Sequence, residues 1–303
     1  MTSMQPKLLP SAATIFEPLP RFLRRHRLMK AWMALTGEDP LQLVRIREGA
    51  FGYADMNEGF LRLIVIDRGF EREFFQIADA LLGRGGVFFD VGANYGLFSF
   101  GLAFKLGSQV EFHMFEPNKK VVAAIEMTLA LYPGMRCTLN AVAVSEHVGF
   151  VSFKIVPEHT GVSHVIESGG DRVPAITLDS FFKKNDINSV TLLKIDVEGH
   201  ELAVLNGAKS LLSSGAIEAI YFEFSQQYLG PRADELLKYL ANLHYEVFFC
   251  REYDIALRTP ASHTFRPDLP GHGVKLLPIT DWQLPSMTDL LAVPKGRVIP
   301  IAQ

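Results

Sequence analysis

The chain has 303 residues, of which 48% are hydrophobic, with 30 Lys plus Arg against 33 Asp plus Glu. This length allows one large or two ordinary domains with a sizeable core, and the apolar composition excludes an intrinsically disordered chain. A net charge of −3 provides no global field for a polyanion, so we expect no nucleic-acid partner. The two cysteines, Cys137 and Cys250, cannot form a disulfide scaffold and favour a reducing, cytoplasmic location.

The N-terminal region differs from the rest of the chain in its charge. Residues 21–30 (RFLRRHRLMK) contain five Lys or Arg and no acid. We expect a helix over residues 20–36 that docks on the core with its charges solvated; a peripheral membrane contact, a lid and a dimer contact are alternatives. The first twenty residues lack the pattern of a signal peptide, and no uncharged apolar run reaches the length of a membrane-spanning helix.

The next segments predict the fold class. LQLVRI, FGYADM and FLRLIVI, within residues 41–66, indicate a β-meander. From about Gly85, β-branched and aromatic runs alternate with helical patterns, which is typical of a parallel sheet covered on both faces. Strands are predicted at 86–91, 110–115, 137–144, 190–197, 216–224, 245–250 and 288–294. Helices are predicted at 96–106, 118–131, 199–213 and 232–242. Residues 149–177 predict added β structure, and residues 251–287 a long loop that is a candidate lid or substrate wall.

The most informative motif is Asp90-Val91-Gly92-Ala93-Asn94-Tyr95-Gly96, between the first parallel strand and its helix. A tight turn of small residues lets the backbone approach a ligand and points helix N–H groups at it. Asn94 falls where a left-handed conformation is needed, which Asn tolerates better than most residues. The pattern departs from the Gly-x-Gly-x-x-Gly fingerprint of nicotinamide cofactors.

Two acids indicate which nucleoside would bind at this turn. Asp90 precedes the turn. Its negative charge would repel a pyrophosphate there but would attract the sulfonium and ammonium groups of S-adenosylmethionine. Glu116 follows the second strand twenty residues after Gly96, where a carboxylate can accept hydrogen bonds from both ribose hydroxyls. We therefore expect a nucleoside site for a cationic cofactor.

The motifs FDVGANYGLFSF, MFEPN, TLDSFF, LLKIDVEGHELAVLNGA and LLAVPK together resemble the FkbM-type family of S-adenosylmethionine-dependent methyltransferases. The resemblance runs from about Gly69 to Lys295. It implies a Rossmann-like class I methyltransferase sheet of seven mostly parallel strands in the order 3-2-1-4-5-7-6, with the last strand antiparallel. It also implies that Asp90, Gly92, Asn94 and Gly96 line the methionine end of the cofactor, that Glu116 binds the ribose, and that Ala143 or its neighbours contact the adenine. We expect an N-terminal extension over residues 1–67 and a methyltransferase domain over residues 68–303.

The end of the fourth strand supplies candidate catalytic residues. Asp196 and His200 are candidates for the base that removes a proton from an acceptor hydroxyl, with Asp196 favoured by its place at the ligand edge; Asp196 would also border the cofactor. Asp196, Glu198 and His200 could instead hold a divalent metal, although residues this close in sequence cannot supply a full shell. Glu201 is expected to serve the first turn of the helix. Glu223 points to the same edge, and Ser163 and His164 are further candidates to reach the acceptor.

These observations lead us to expect an O-methyltransferase that acts on a hydroxyl of a sugar, glycan or other secondary metabolite, with S-adenosyl-L-methionine as cofactor. A nicotinamide-dependent oxidoreductase and a cofactor-binding protein without turnover are the alternatives. The acceptor pocket is expected to come from residues 1–60 and from the loops at 157–172 and 251–287.

Overall fold

The computed structural model describes residues 25–47, 49–59, 61, 71–254, 259–260, 272–279 and 284–299. The helices in chain order are α1 (Arg25–Thr36), α2 (Arg72–Leu82), α3 (Leu97–Leu106), α4 (Lys119–Leu129), α5 (Leu178–Lys184), α6 (Glu201–Asn206), α7 (Lys209–Ser213), α8 (Gln226–Leu229) and α9 (Arg232–Asn242). The strands are β1 (Leu41–Arg47), β2 (Ala50–Asp55), β3 (Gly86–Val91), β4 (Val110–Phe115), β5 (Arg136–Asn140), β6 (Ala143–Val144), β7 (Gly149–Lys154), β8 (His164–Ile166), β9 (Asp171–Ile176), β10 (Leu192–Ile195), β11 (Ile220–Ser225), β12 (Tyr245–Asp254), β13 (Thr259–Pro260), β14 (His272–Pro278) and β15 (Met287–Pro294).

The large sheet has the strand order predicted from the resemblance. Its seven principal strands run β5-β4-β3-β10-β11-β15-β12, which is 3-2-1-4-5-7-6 in the order of these strands along the chain. Strands β5, β4, β3, β10 and β11 pair in parallel, and β15 pairs antiparallel with both β11 and β12. The chain therefore has the mostly parallel α/β sheet of a class I methyltransferase.

Three segments of the predicted loop at 251–287 are strands in the structure. Strand β12 continues to Asp254. The whole of β14 pairs antiparallel with β12, and the two residues of β13 pair with the last two residues of β12. Residues 255–258, 261–271 and 280–283 of the predicted loop lie outside the described residues.

The third predicted strand divides between two sheets. Residues 136–140 extend the large sheet, and the two residues of β6 pair instead with β9 in a second sheet of order β6-β9-β7-β8. The β structure predicted for residues 149–177 is confirmed as the rest of this second sheet. The connection between its strands β7 and β8 reaches the end of β3, where Thr160 Oγ1 lies 2.8 Å from Asn94 Oδ1.

The helix predicted at 199–213 is broken in two at Gly207. A Cβ built at Gly207 would lie 2.1 Å from the carbonyl oxygen of Ser145, so glycine here lets β6 and its following residue approach closely. The carbonyl of Gly207 accepts the N–H of Asp179, whose carboxylate accepts the N–H groups of Ser210 and Leu211 at the start of α7. The break thus fastens α5 to the second half of the predicted helix.

Alternation along the strands gives the sheet a core on each face. Phe89 contributes to the face covered by α5 to α9, while its neighbour Phe88 packs against α2 and α3 with Phe74. Both phenylalanines are fully buried. Asp90 and Lys194 follow the same alternation and lie on the α2 and α3 face, directly opposite each other on β3 and β10.

The N-terminal elements pack on the same face as α3 and α4. Strands β1 and β2 form an antiparallel hairpin whose backbone N–H at Tyr53 donates to Thr128 Oγ1 of α4 at 2.9 Å. Helix α1 buries Met29 and Met33 in a hydrophobic cluster that it shares with the hairpin, α3 and α4, and it leaves Trp32 partly exposed. This arrangement agrees with docking of the helix on the core. The third strand of the predicted meander, residues 60–66, lies outside the described residues apart from Leu61, which is helical. No described helix is long and apolar enough to cross a membrane.

Candidate functional site

The turn after β3 is the framework of the site. Gly92, Asn94 and Gly96 all have positive φ, at 76°, 47° and 69°, so the left-handed conformation predicted for Asn94 is confirmed. The N–H groups of Gly92 and Ala93 both donate to the carbonyl of Phe115 at 3.1 Å, which fixes the turn to the end of β4. A Cβ at Gly92 would lie 1.8 Å from the carbonyl oxygen of Asp196. The turn is therefore pressed against the end of β10 and tolerates no side chain at this position.

Glu116 lies beside this turn, as its spacing predicted. Its Oε2 accepts the N–H of Asn94 at 2.9 Å, and its Oε1 accepts the N–H of Asn118 at 2.8 Å. Burial raises the pKa of Glu116 to about 7, although both backbone hydrogen bonds act to lower it. Each carboxylate oxygen accepts one hydrogen bond from the described residues and keeps a lone pair beyond it, which suits a ligand with two adjacent hydroxyls.

Asp90 lies behind the turn and does not line a described cavity. It is fully buried; its Oδ2 accepts a hydrogen bond from Ser99 Oγ at 2.7 Å, and its Oδ1 lies 3.5 Å from Lys194 Nζ. Lys194 Nζ also donates to Asp196 Oδ2 at 3.1 Å and lies 4.1 Å from the ring centroid of Phe98. Burial lowers the pKa of Lys194, but Asp196 and Asp90 outweigh it, so the net shift is upward. The ammonium thus links the acid before the turn to the acid at the end of β10.

Glu58, from the segment after the N-terminal hairpin, joins three distant segments at the same place. It is 1% exposed and accepts hydrogen bonds from Tyr95 Oη at 2.8 Å, Thr160 N at 2.8 Å and Thr160 Oγ1 at 2.9 Å. Thr160 Oγ1 also lies 2.8 Å from Asn94 Oδ1. Thr160 begins a short 3-10 turn, Thr160–Val162, in the connection between β7 and β8. Glu58 therefore joins the turn after β3 to the connection between β7 and β8.

Two cavities meet at this edge of the sheet. The larger, of about 260 Å³, is bordered by the turn, by Tyr221 and Tyr228 and by residues of all three segments joined at Glu58. The smaller, of about 60 Å³, is bordered by Glu116, Phe153 and Ser163. Gly92, Asn94, Gly161 and Asp196 border both cavities. Asp196 is thus a carboxylate at the junction of the two spaces.

A family model described as "Methyltransferase FkbM domain" matches residues 90–247, more than half of the chain. The chain belongs to this methyltransferase family. It is an S-adenosyl-L-methionine-dependent methyltransferase, and the nicotinamide alternative is not supported.

The known proteins similar to this FkbM-domain methyltransferase are distant. The hexuronic acid methyltransferase AglP of Haloferax volcanii is 28% identical over 129 residues, which cover 42% of this chain and 52% of that protein. The match therefore spans about half the length of this curated relative. An S-adenosylmethionine-dependent O-methyltransferase from Thermotoga maritima is 14% identical over 88% of this chain and 82% of its own, with a TM-score of 0.40. A precorrin-6y C5,15-methyltransferase from Geobacter metallireducens is 12% identical over 74% of this chain and 88% of its own, with a TM-score of 0.39. Both scores are low, so the fold assignment rests on the strand order.

The residues around the junction fit S-adenosyl-L-methionine. Gly92 borders both cavities with backbone alone, and Glu116 offers lone pairs for ribose hydroxyls. The larger cavity carries acidic side chains that suit the ammonium and sulfonium groups of the cofactor. When bound, the cofactor supplies an activated methyl group to this methyltransferase.

Acidic side chains from neighbouring strands face each other in the larger cavity. Glu223 of β11 lies directly opposite Asp289 of β15, and Lys194 lies opposite Tyr221. Because side chains alternate along a strand, Asp196, Glu223 and Asp289 lie on one face of three adjacent strands. Oxygens of Asp196, Glu198 and Glu223 lie within 4.8 Å of one another. Three residues of the site were not predicted from the sequence. There, Lys194 and Asp289 look like ordinary strand residues and Glu58 looks like a loop residue.

Mutual repulsion perturbs these acids. Burial, followed by the charge of Asp196, raises the pKa of Glu223 above its ordinary value. The same two causes act on Glu198 and on Asp289. Burial and the charge of Asp289 raise the pKa of Glu71, which borders the cavity from the segment before α2. Burial and like charge therefore disfavour negative charge in this cavity, and a bound cation would offset both effects.

His200 borders neither of the two cavities, and its role as a base stays a prediction. Its Nε2 lies 3.0 Å from Ser145 Oγ on the side of the second sheet, and burial lowers its pKa to about 4. The metal alternative of Asp196, Glu198 and His200 stays a prediction; the group that the described residues bring within 4.8 Å is Asp196, Glu198 and Glu223. Glu201 accepts the N–H of Gly199 at 3.0 Å, in line with its expected place in the first turn.

Ala143 and the two loop candidates also have defined places. Ala143 is buried in β6, where it pairs with Ala175, and it does not border either described cavity. Its predicted contact with the adenine stays a prediction. Ser163 borders the smaller cavity and accepts the N–H of Val156 at 3.0 Å through its hydroxyl. His164 Nδ1 lies 2.8 Å from the carbonyl oxygen of Val162.

Proposed function

We propose that this methyltransferase methylates a hydroxyl group of a sugar, a glycan or another secondary metabolite. The observation that carries this proposal is the position of Asp196, which borders both cavities and is held by Lys194 at 3.1 Å. A hydroxyl must lose its proton as it attacks, and a carboxylate at the junction can accept that proton. The relative AglP is a hexuronic acid methyltransferase by name, which supports a carbohydrate acceptor as a class.

Each residue then has a stated task. Gly92 and Asn94 shape the turn on which the methionine part of the cofactor would lie, and Glu116 binds the ribose hydroxyls. Asp196 receives the proton of the acceptor hydroxyl. Lys194 holds the Asp196 carboxylate in place through its hydrogen bond, so the base is oriented before the acceptor arrives. Tyr228, at the mouth of the larger cavity, offers an aromatic face to the apolar side of a sugar ring.

A labelled methyl-transfer assay tests this proposal. The full chain is incubated with methyl-labelled S-adenosyl-L-methionine and a panel of hydroxylated acceptors, with and without EDTA, and the product is examined for a methyl ether. We expect Asp196→Asn to lower turnover by roughly 10²- to 10⁴-fold while binding of S-adenosylhomocysteine changes little. Asp171→Asn, at an exposed site on β9, is the matched control and should retain wild-type turnover.

Two outcomes would count against the proposal. Normal turnover of Asp196→Asn with the true acceptor would exclude this carboxylate as the base. A methyl group found on nitrogen or carbon would exclude O-methylation. Loss of turnover on adding EDTA would be compatible with O-methylation, but it would indicate that the acids around Asp196 bind a metal ion.

A further inference from the structure

The larger cavity has an excess of acidic over basic side chains. Among the described residues that border it, the basic side chains are Lys194 and His159. The acidic ones are Glu58, Glu71, Asp196, Glu198, Glu223 and Asp289. They come from the N-terminal region, from the segment before α2 and from three adjacent strands, so the excess is a property of the assembled site.

The lysine of the wall is already committed to two acids. Lys194 is 2% exposed, lies between Asp196 Oδ2 at 3.1 Å and Asp90 Oδ1 at 3.5 Å, and faces the ring of Phe98. An anionic ligand group could reach this ammonium only by displacing a carboxylate that would remain nearby. Lys194 therefore does not make the cavity attractive to an anion.

Part of the acidic wall has unused hydrogen-bonding capacity. The buried Oε2 atoms of Glu198 and Glu223 have no hydrogen-bond partner among the described residues. Glu223 also faces Asp289 across the β11 and β15 pair. Buried oxygens of this kind are stabilised by hydroxyl or ammonium donors of a ligand, whereas a further carboxylate brought among them adds like-charge repulsion.

The cofactor offsets only part of this charge. S-adenosyl-L-methionine brings an ammonium and a sulfonium, but its own carboxylate cancels one of them. We propose that the acceptor of this enzyme is uncharged or cationic near its reacting hydroxyl, and that Glu223 and Asp289 exclude acceptors that carry a carboxylate, such as uronic acids. This inference rests on the proposed O-methylation of a hydroxyl compound and adds the charge class of its substrate.

A matched acceptor series tests the inference. Methyl glycosides of several hexoses are each supplied in three forms, as the neutral sugar, as the 2-amino sugar and as the uronic acid, and methyl transfer is measured in EDTA and again with added Mg²⁺. We expect kcat/KM for the neutral or amino members to exceed that for the matched uronic acids by about tenfold or more. Uronic acids methylated as well as their neutral partners, with or without Mg²⁺, would overturn the inference and leave O-methylation intact. Methylation of none of the sugars would overturn the carbohydrate proposal together with the inference.

Variants identify the residues that impose the selection. Asp289→Asn and Glu223→Gln keep the size of the side chain and remove the group that can carry a negative charge. Each is expected to raise the ratio of uronic acid to neutral sugar turnover by about tenfold, whatever it does to the rates themselves. Asp171→Asn, on the exposed surface of β9, is expected to leave this ratio unchanged. An unchanged ratio in both cavity variants would overturn the role assigned to Glu223 and Asp289.

Discussion

Removing the Glu58 carboxylate should weaken cofactor binding even though Glu58 lies outside the stretch that matches the family model. In Glu58→Ala, the hydroxyl of Tyr95 and the N–H and hydroxyl of Thr160 lose their acceptor. Tyr95 is 1% exposed and Thr160 is 6% exposed, so water does not readily replace the carboxylate. The connection between β7 and β8 then loses its link through Glu58 to Tyr95, and the contact between Thr160 Oγ1 and Asn94 Oδ1 at 2.8 Å is left to hold it to the turn after β3.

The magnitude follows from the two buried donors. A buried donor without a partner costs about 1–3 kcal/mol, so Tyr95 and the backbone of Thr160 together account for roughly 2–6 kcal/mol. Part of this cost falls on the free energy of unfolding and part on the local order of the loop. If about 1.4 kcal/mol of this cost weakens the binding free energy of S-adenosylhomocysteine, the affinity drops by about tenfold.

Calorimetric titration with S-adenosylhomocysteine and denaturant unfolding measure the two parts separately. Glu58→Gln, which keeps one acceptor oxygen, should lose less in both measurements, and Glu126→Ala, on the exposed face of α4, serves as the control. A double-mutant cycle with Thr160→Ala should give a coupling of about 0.5–3 kcal/mol in the binding free energy. If Glu58→Ala folds fully and binds S-adenosylhomocysteine as tightly as the wild type, the hydrogen bonds of Glu58 do not support cofactor binding at the turn after β3.

Two further predictions concern buried charges. Asp90→Ala leaves Lys194 with only the partly exposed Asp196 as its partner, and we expect a loss of about 3–5 kcal/mol in the free energy of unfolding by denaturant, whereas Asp171→Ala should lose little. Burial raises the pKa of Glu116 and of Glu201 from 4.5 to about 7, so the folded state holds more protons than the unfolded state between these values. The free energy of unfolding of the cofactor-free protein should therefore fall as the pH rises through this window. In Glu201→Gln this fall, followed by thermal unfolding, should be smaller by up to roughly 3 kcal/mol. An equal slope in the variant would contradict the raised pKa of Glu201.

The parts of the site that are local in sequence could be predicted. Asp90 to Gly96 form one strand end and one turn, and Glu116 follows the next strand, so short βα connections fix their relation. The left-handed conformation of Asn94 followed from the same pattern and is confirmed. The sheet order came from a family resemblance, and the structure bears it out.

Contacts between distant segments could not be predicted in this way. Lys194 reads as one residue of an apolar strand, and its pairing with Asp90 exists only because β10 is inserted beside β3. Glu58 meets Thr160 across 102 positions, and no local pattern records that distance. His200 was expected near the methyl group because it follows Asp196 closely, but the chain reverses at Glu198, which has a φ of 53°, and the imidazole lies towards Ser145.

The lysine between the two acids explains why the turn and the acceptor edge should respond together. Asp90 borders neither described cavity, yet its charge helps to position the ammonium that holds Asp196 at the junction. A neutral residue at position 90 would therefore leave the ammonium of Lys194 less firmly positioned, and the Asp196 carboxylate that it holds would lose its fixed orientation. Cofactor affinity depends on the turn, whereas turnover depends on Asp196, so conservative Asp90→Asn should depress kcat more than it weakens binding of S-adenosylhomocysteine. A role of Asp90 in direct cofactor contact would produce the opposite order of effects.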